Sequence, residues 1–101
     1  MNKKTRVSVF GGTGYTGVEL IRLLLNHPNV EIYQITSRND KGKRVDEIYP
    51  SFRGVLNNIL VSPEDADLKN VDIVFFATPN GTAINYAEGL IEAGKLVIDL
   101  A

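Results

Sequence analysis

The sequence predicts an open, mostly parallel α/β sheet with helices on both faces. Three observations predict it. Short apolar stretches of strand length alternate with stretches of helical period along the whole chain. A glycine-rich turn lies between the first predicted strand and the first predicted helix. Residues Val71 to Ala77 are almost continuously apolar, as in a strand buried on both faces of a parallel sheet.

Arg6 to Phe10, rich in Val and Phe and ending at glycines, is the first strand. Tyr15 to Asn26 is a helix, with Val18, Leu20, Ile21, Leu24 and Leu25 at three- and four-residue spacing and Glu19 and Arg22 on the polar side. Asn26, His27 and Pro28 end it, because proline cannot extend the hydrogen-bond ladder. Val30 to Thr36 alternates and is the second strand. Ser37 to Asn58 is less regular, with a short helix expected at Arg44–Tyr49, halted before Pro50. Asn57 to Val61 reads as a third strand. Ser62, Pro63 and Asp65 form a helix-start pattern for a short helix ending near Asn70. Val71–Ala77 is the fourth strand, Thr82–Ala93 a helix stopped by Gly94, and Leu96–Leu100 the fifth strand. Right-handed crossovers then give the strand order 3-2-1-4-5, a Rossmann-like doubly wound parallel sheet in three αβα layers. Tyr49 to Gly54 reads as a surface loop.

The 101 residues leave room for one domain, 1–101, able to bury a core without staples. With no cysteine, the chain has no disulfide, thiolate metal site or thiol nucleophile of its own. One histidine excludes a multi-histidine metal site within the chain. A net charge of −1 gives no electrostatic reason to expect nucleic acid as a partner. The apolar stretch Val7–Phe10 is too short for a signal peptide or a membrane span, so a cytoplasmic protein is expected. Charge is uneven: residues 1–53 hold nine Lys/Arg against five acids, and residues 54–101 two against seven. The basic half either presents solvated faces or faces an anionic ligand.

The segment Gly11-Gly12-Thr13-Gly14-Tyr15-Thr16-Gly17 contains a G-x-G-x-x-G pattern between strand and helix. In that setting the glycines allow a tight turn, close approach of backbone to a pyrophosphate, and close helix–strand packing. Helix N-terminal amides offer partial positive charge to phosphate. Gly12, Thr13, Gly14, Tyr15, Thr16 and Gly17 are therefore candidate dinucleotide-binding residues, against the alternative of a tight turn without a ligand. Thr36-Ser37-Arg38 ends the second strand, where an NAD-preferring fold usually has Asp or Glu on the ribose 2′-hydroxyl. A hydroxyl at Ser37 and a guanidinium at Arg38 suit a 2′-phosphate instead, so NADP is expected over NAD. Asp40, two residues on, is the competing ribose ligand. Ala77-Thr78-Pro79-Asn80-Gly81 lies at the carboxyl end of the fourth strand, where such sheets bind ligands. Thr78, Pro79 and Asn80 join the candidate cofactor residues, against the alternative of a proline-initiated turn. No residue is a candidate catalytic group or metal ligand; His27 suits a helix C-terminus.

With these motifs, the chain from Arg6 to Ala101 resembles the N-terminal part of the N-acetyl-γ-glutamyl-phosphate reductase family. The resemblance rests on the Gly-Gly-Thr-Gly-Tyr-Thr-Gly loop with Glu19-Leu20-Ile21-Arg22-Leu23-Leu24 and His27-Pro28, and on Thr36-Ser37-Arg38. Tyr49-Pro50 with Arg53-Gly54, Ala77-Thr78-Pro79-Asn80-Gly81 and Val97-Ile98-Asp99-Leu100 complete it. It implies NADPH-dependent reduction of an acyl phosphate to a semialdehyde in arginine biosynthesis, through attack by a cysteine thiolate. In the family that cysteine, a catalytic histidine and the substrate domain follow the point where this sequence stops. The expectation is a fragment, cut by design or by a truncated reading frame, without turnover of its own. Apolar surface at the missing domain's dock would then favour pairing of two copies. Alternatives are a stand-alone dinucleotide-binding module, or the equivalent part of a lysine-pathway or aspartate-semialdehyde dehydrogenase relative.

Overall fold

A computed structural model describes residues 4–79 and 81–100. Among the described residues four parallel strands form one sheet: β1 (Thr5–Phe10), β2 (Val30–Thr36), β3 (Ile73–Phe76) and β4 (Leu96–Asp99). Their order is β2-β1-β3-β4. Three α-helices accompany them, α1 (Tyr15–Leu25), α2 (Val45–Ile48) and α3 (Ile84–Glu92).

The central strand carries the logic of the layers. Val7, Ser8, Val9 and Phe10 of β1 are all fully buried, because β1 is paired on both edges and covered on both faces. Successive strand side chains point to opposite faces. Val9 accordingly packs with Val18 and Ile21 of α1, Ile35 of β2 and Val45 of α2. Phe10 packs on the other face with Val74 and Phe76 of β3 and Leu90 of α3. There Phe10, Phe76 and Tyr86 form an aromatic cluster with centroids 4.9–5.7 Å apart. The predicted class, a three-layer parallel α/β sheet, is the observed one.

The expected strand order needs one correction. Asn57–Val61 does not form the expected third strand. Only its end lies against β2, where Val61 N–H donates to Ile35 O (3.2 Å) and Ser37 N–H to Val61 O (2.9 Å). Residues 58–60 bond instead to the loop before α2: Val45 N–H donates to Asn58 O, Leu60 N–H to Lys43 O and Gly42 N–H to Leu60 O. The Asn58 amide donates to the Ile32 and Tyr33 carbonyls of β2. The sheet therefore reads 2-1-3-4, with a single parallel bridge, Thr36–Val61, where the outer strand was expected.

Two further expectations change. The helix expected from Ser62 to Asn70 is a single 3-10 turn, Pro63–Asp65. The Asp67 carboxylate accepts the backbone N–H groups of Lys69 (3.0 Å) and Asn70 (3.4 Å), a local arrangement that competes with helix. Tyr49–Gly54 is not merely a surface loop. It contains a 3-10 turn, Pro50–Phe52, that drives Phe52 into the α1-side core, where it is 3% exposed.

Candidate functional site

Three loops meet at the carboxyl ends of β1, β2 and β3. They enclose a cleft of about 290 Å³, lined by Gly11, Thr13 and Gly14 from the first loop, Thr36, Ser37 and Arg38 from the second, and Thr78 and Pro79 from the third. The strands bring these segments together although up to 68 residues separate them, because parallel strands all deliver their carboxyl ends to one edge.

The glycine loop is fastened to β2. Gly11 N–H donates to Thr36 Oγ1 (3.2 Å) and Gly12 N–H to Thr36 O (3.1 Å). Gly11 stands at φ +78°, and a Cβ there would meet Ala77 O at 2.7 Å. A Cβ on Gly12 would fall 2.2 Å from Ile35 Cγ2, and one on Gly17 would fall 2.4 Å from Gly11 O. Gly12 and Gly17 therefore let α1 approach the sheet, and both are buried away from the cleft. Gly14 differs. It is the N-cap of α1, exposed, and a Cβ there would meet nothing closer than Gly11 O at 3.6 Å. Tyr15 and Thr16 open the helix as exposed residues outside the cleft wall.

The second loop supplies a hydroxyl pair. Thr13 Oγ1 and Ser37 Oγ share a hydrogen bond at 2.9 Å, and Ser37 Oγ also accepts from Asp40 N–H at 3.2 Å. Ser37 is 3% exposed, so its position is set by packing as well as bonding. Arg38 projects from the same strand end, two-thirds exposed, and its Nη1 donates to Glu64 Oε1 at 3.0 Å. A hydrogen bond from its own backbone N–H, and then Arg38, hold the Glu64 carboxyl below the usual range. Asp40, the expected competitor, lies 3.6 Å from Lys43 Nζ.

In the third loop, the Thr78 hydroxyl is buried and finds no hydrogen-bond partner among the described residues. A buried, unbonded hydroxyl is costly and uncommon, so its place in a cleft wall suits a ligand that supplies the missing bond. Pro79 is exposed at the rim. Asn80 lies outside the described residues.

These features fit a dinucleotide. The open side of Gly14 leaves room where a side chain would stand, at the N-terminus of an eleven-residue helix with no side-chain cap. Thr13, Ser37 and Thr78 supply hydroxyls and Arg38 a guanidinium. The loop also has a buttress beneath it that no sequence periodicity announces. The Tyr49 hydroxyl donates to Thr13 O at 2.5 Å, and Pro63 closes the cleft beside Arg38. Only the Tyr49-Pro50 pair in the sequence hinted at the first. A second cavity of about 510 Å³, between Leu68 and α3, touches none of these loops. Among the described residues no cluster could hold a metal ion, and no helix is long and apolar enough to cross a membrane.

Comparison with known proteins finds relatives along almost the whole chain. Residues 6–101 match the family model described as semialdehyde dehydrogenase, NAD binding domain. The chain is 56% identical over 96 residues to the N-acetyl-γ-glutamyl-phosphate reductase of Laribacter hongkongensis, which covers 95% of this chain and 28% of that protein. It is 52% identical over all 101 residues to the reductase of that name from Neisseria meningitidis, 29% of whose length it covers. The chain thus spans under a third of these curated relatives. Among solved structures it superposes on aspartate semialdehyde dehydrogenase II of Vibrio cholerae with a TM-score of 0.78 at 25% identity, over 96% of this chain and 30% of that one. The Candida albicans aspartate semialdehyde dehydrogenase crystallised with NADP shares the fold, with a TM-score of 0.76 at 23% identity over 98% of this chain and 30% of that one. The chain belongs to the family of semialdehyde dehydrogenase NAD-binding domains.

Proposed function

We propose that this chain is the NADP(H)-binding portion of an N-acetyl-γ-glutamyl-phosphate reductase, which reduces an acyl phosphate to a semialdehyde in arginine biosynthesis. The observation that carries the reading is the convergence on one cleft of the glycine loop, Ser37-Arg38 and the Thr78 hydroxyl, which has no hydrogen-bond partner among the described residues. Identity above 50% to reductases of that name supports the choice of substrate class over the aspartate-semialdehyde relatives.

Gly12 and Gly17 hold the loop against the sheet. Gly14 gives backbone access to the pyrophosphate, with Thr13, Tyr15 and Thr16 at the helix start. Ser37 and Arg38 take the 2′-phosphate, since an arginine fork matches phosphate oxygens and an acid in that place would repel them. Thr78, Pro79 and Asn80 complete the proposed cofactor set, with Thr78 and Asn80 offered to ribose or phosphate. Bound there, the nicotinamide supplies hydride. The chain has no cysteine and so supplies no thiolate of its own to attack the acyl phosphate. Turnover is therefore not expected of this chain alone. A cytoplasmic setting goes with the reading.

Calorimetric titration of the chain with NADPH and NADH tests it. NADPH binding tighter than NADH, with Arg38→Asp weakening NADPH far more than NADH, is the expected result. Equal or tighter binding of NADH by the wild-type chain refutes the NADP assignment.

A further inference from the structure

Arg38 does not stand alone at the cleft mouth. Its partner, Glu64, lies 26 residues on, in the 3-10 turn Pro63–Asp65. That turn is carried to the end of β2 by the backbone. Val61 bonds to Ile35 and Ser37 on either side of Thr36, and Pro63 is buried against the cleft. Ser62 Oγ donates to Asp65 Oδ2 at 2.9 Å and Asp65 N–H to Ser62 O at 3.0 Å, which fixes the turn from which Glu64 projects. An acid thus stands beside Arg38, delivered from a distant segment.

We propose that Glu64 sets the balance between 2′-phosphorylated and unphosphorylated dinucleotides by opposing Arg38. The inference rests on the reading of Arg38 as the 2′-phosphate ligand. A 2′-phosphate must take the Arg38 guanidinium from a carboxylate 3.0 Å away and then bear that carboxylate as a like-charged neighbour. A free 2′-hydroxyl meets no such opposition and can donate to the same carboxylate, the role an acid plays in NAD-binding folds. The pair is about two-thirds exposed on both sides, so it is weak enough for a phosphate to displace.

The test is the ratio of NADPH to NADH affinity, measured by calorimetry on the wild-type chain, Glu64→Gln and Asp65→Asn. Glu64→Gln keeps the size of the side chain and removes its charge. It is expected to raise the preference for NADPH about five-fold, the scale of an exposed ion pair. Asp65→Asn removes the same charge one residue away, from a carboxylate turned to Ser62, and is expected to leave the ratio close to wild type. A gain in affinity cannot come from a damaged fold. An unchanged or lower ratio for Glu64→Gln overturns the inference, as does an equal rise for Asp65→Asn. A wild-type chain that binds neither dinucleotide overturns the underlying cofactor reading, and this inference with it. A wild-type chain that prefers NADPH while Glu64→Gln has no effect overturns the role of Glu64 alone.

Discussion

The hydroxyl of Tyr49 donates to the main-chain carbonyl of Thr13 at 2.5 Å, joining positions 36 residues apart. Tyr49 is itself held by an edge contact with Phe52, whose ring sits in the core. The segment after α2 therefore props the glycine loop from below and fixes the peptide that leads into Gly14. Tyr49→Phe keeps the ring and deletes the bond. It should cost about 1 kcal/mol in urea-induced unfolding and weaken NADPH binding about three-fold, because the freed carbonyl lets the loop relax. Unchanged affinity would mean that Tyr49 serves stability alone.

The glycines should separate into two kinds. Gly17→Ala forces a Cβ against backbone, 2.4 Å from Gly11 O and 2.7 Å from Gly12 Cα, so it should destabilise by about 3 kcal/mol or more. Gly14→Ala has no such clash and should change stability by less than about 1 kcal/mol. It should nonetheless reduce NADPH affinity at least about ten-fold, since the added methyl stands where the backbone must approach the ligand. Thermal melts and titrations of the two variants check the pair of outcomes together.

Thr78→Val replaces a buried hydroxyl that has no partner among the described residues by a methyl of similar shape. The unliganded chain should become no less stable, and up to about 1 kcal/mol more stable. Dinucleotide affinity should fall about ten-fold, the value of one good hydrogen bond in a dry site. Loss of stability with no loss of affinity would remove Thr78 from the site.

Asp67 makes the chain sensitive to acid. Asn70 and then Tyr33 hydrogen-bond its carboxylate and hold it down at about 2, against an ordinary 3.8. A carboxyl with a depressed folded value stabilises the fold above its unfolded value and loses that contribution as pH falls through the folded one. The melting temperature of the wild type should therefore exceed that of Asp67→Asn at neutral pH, and the gap should close between about pH 4 and pH 2.

The layers and the site loops were legible in the sequence because short-range rules govern them. Val9 and Phe10 alternate between two cores, and the glycine spacing alone places a turn between strand and helix. Residues 57–70 were not legible. Their outcome depends on the Asn58 side chain reaching the carbonyls of β2 and on the Asp67 carboxylate accepting the backbone amides of Lys69 and Asn70, bonds that no periodicity announces. The Tyr49–Thr13 and Arg38–Glu64 contacts were hidden for the same reason, since each joins residues that only the folded sheet brings together. The burial of Thr78 Oγ1 is likewise a property of the assembled cleft.

On the proposed reading, three separated loops form one dinucleotide cleft. Amide chemical-shift mapping of the 15N-labelled chain during NADPH titration tests it most directly. The largest shifts should gather at Gly11, Thr13, Gly14, Ser37, Arg38 and Thr78. Shifts centred instead on the groove between Leu68 and Leu90, or no shifts at saturating NADPH, would contradict it.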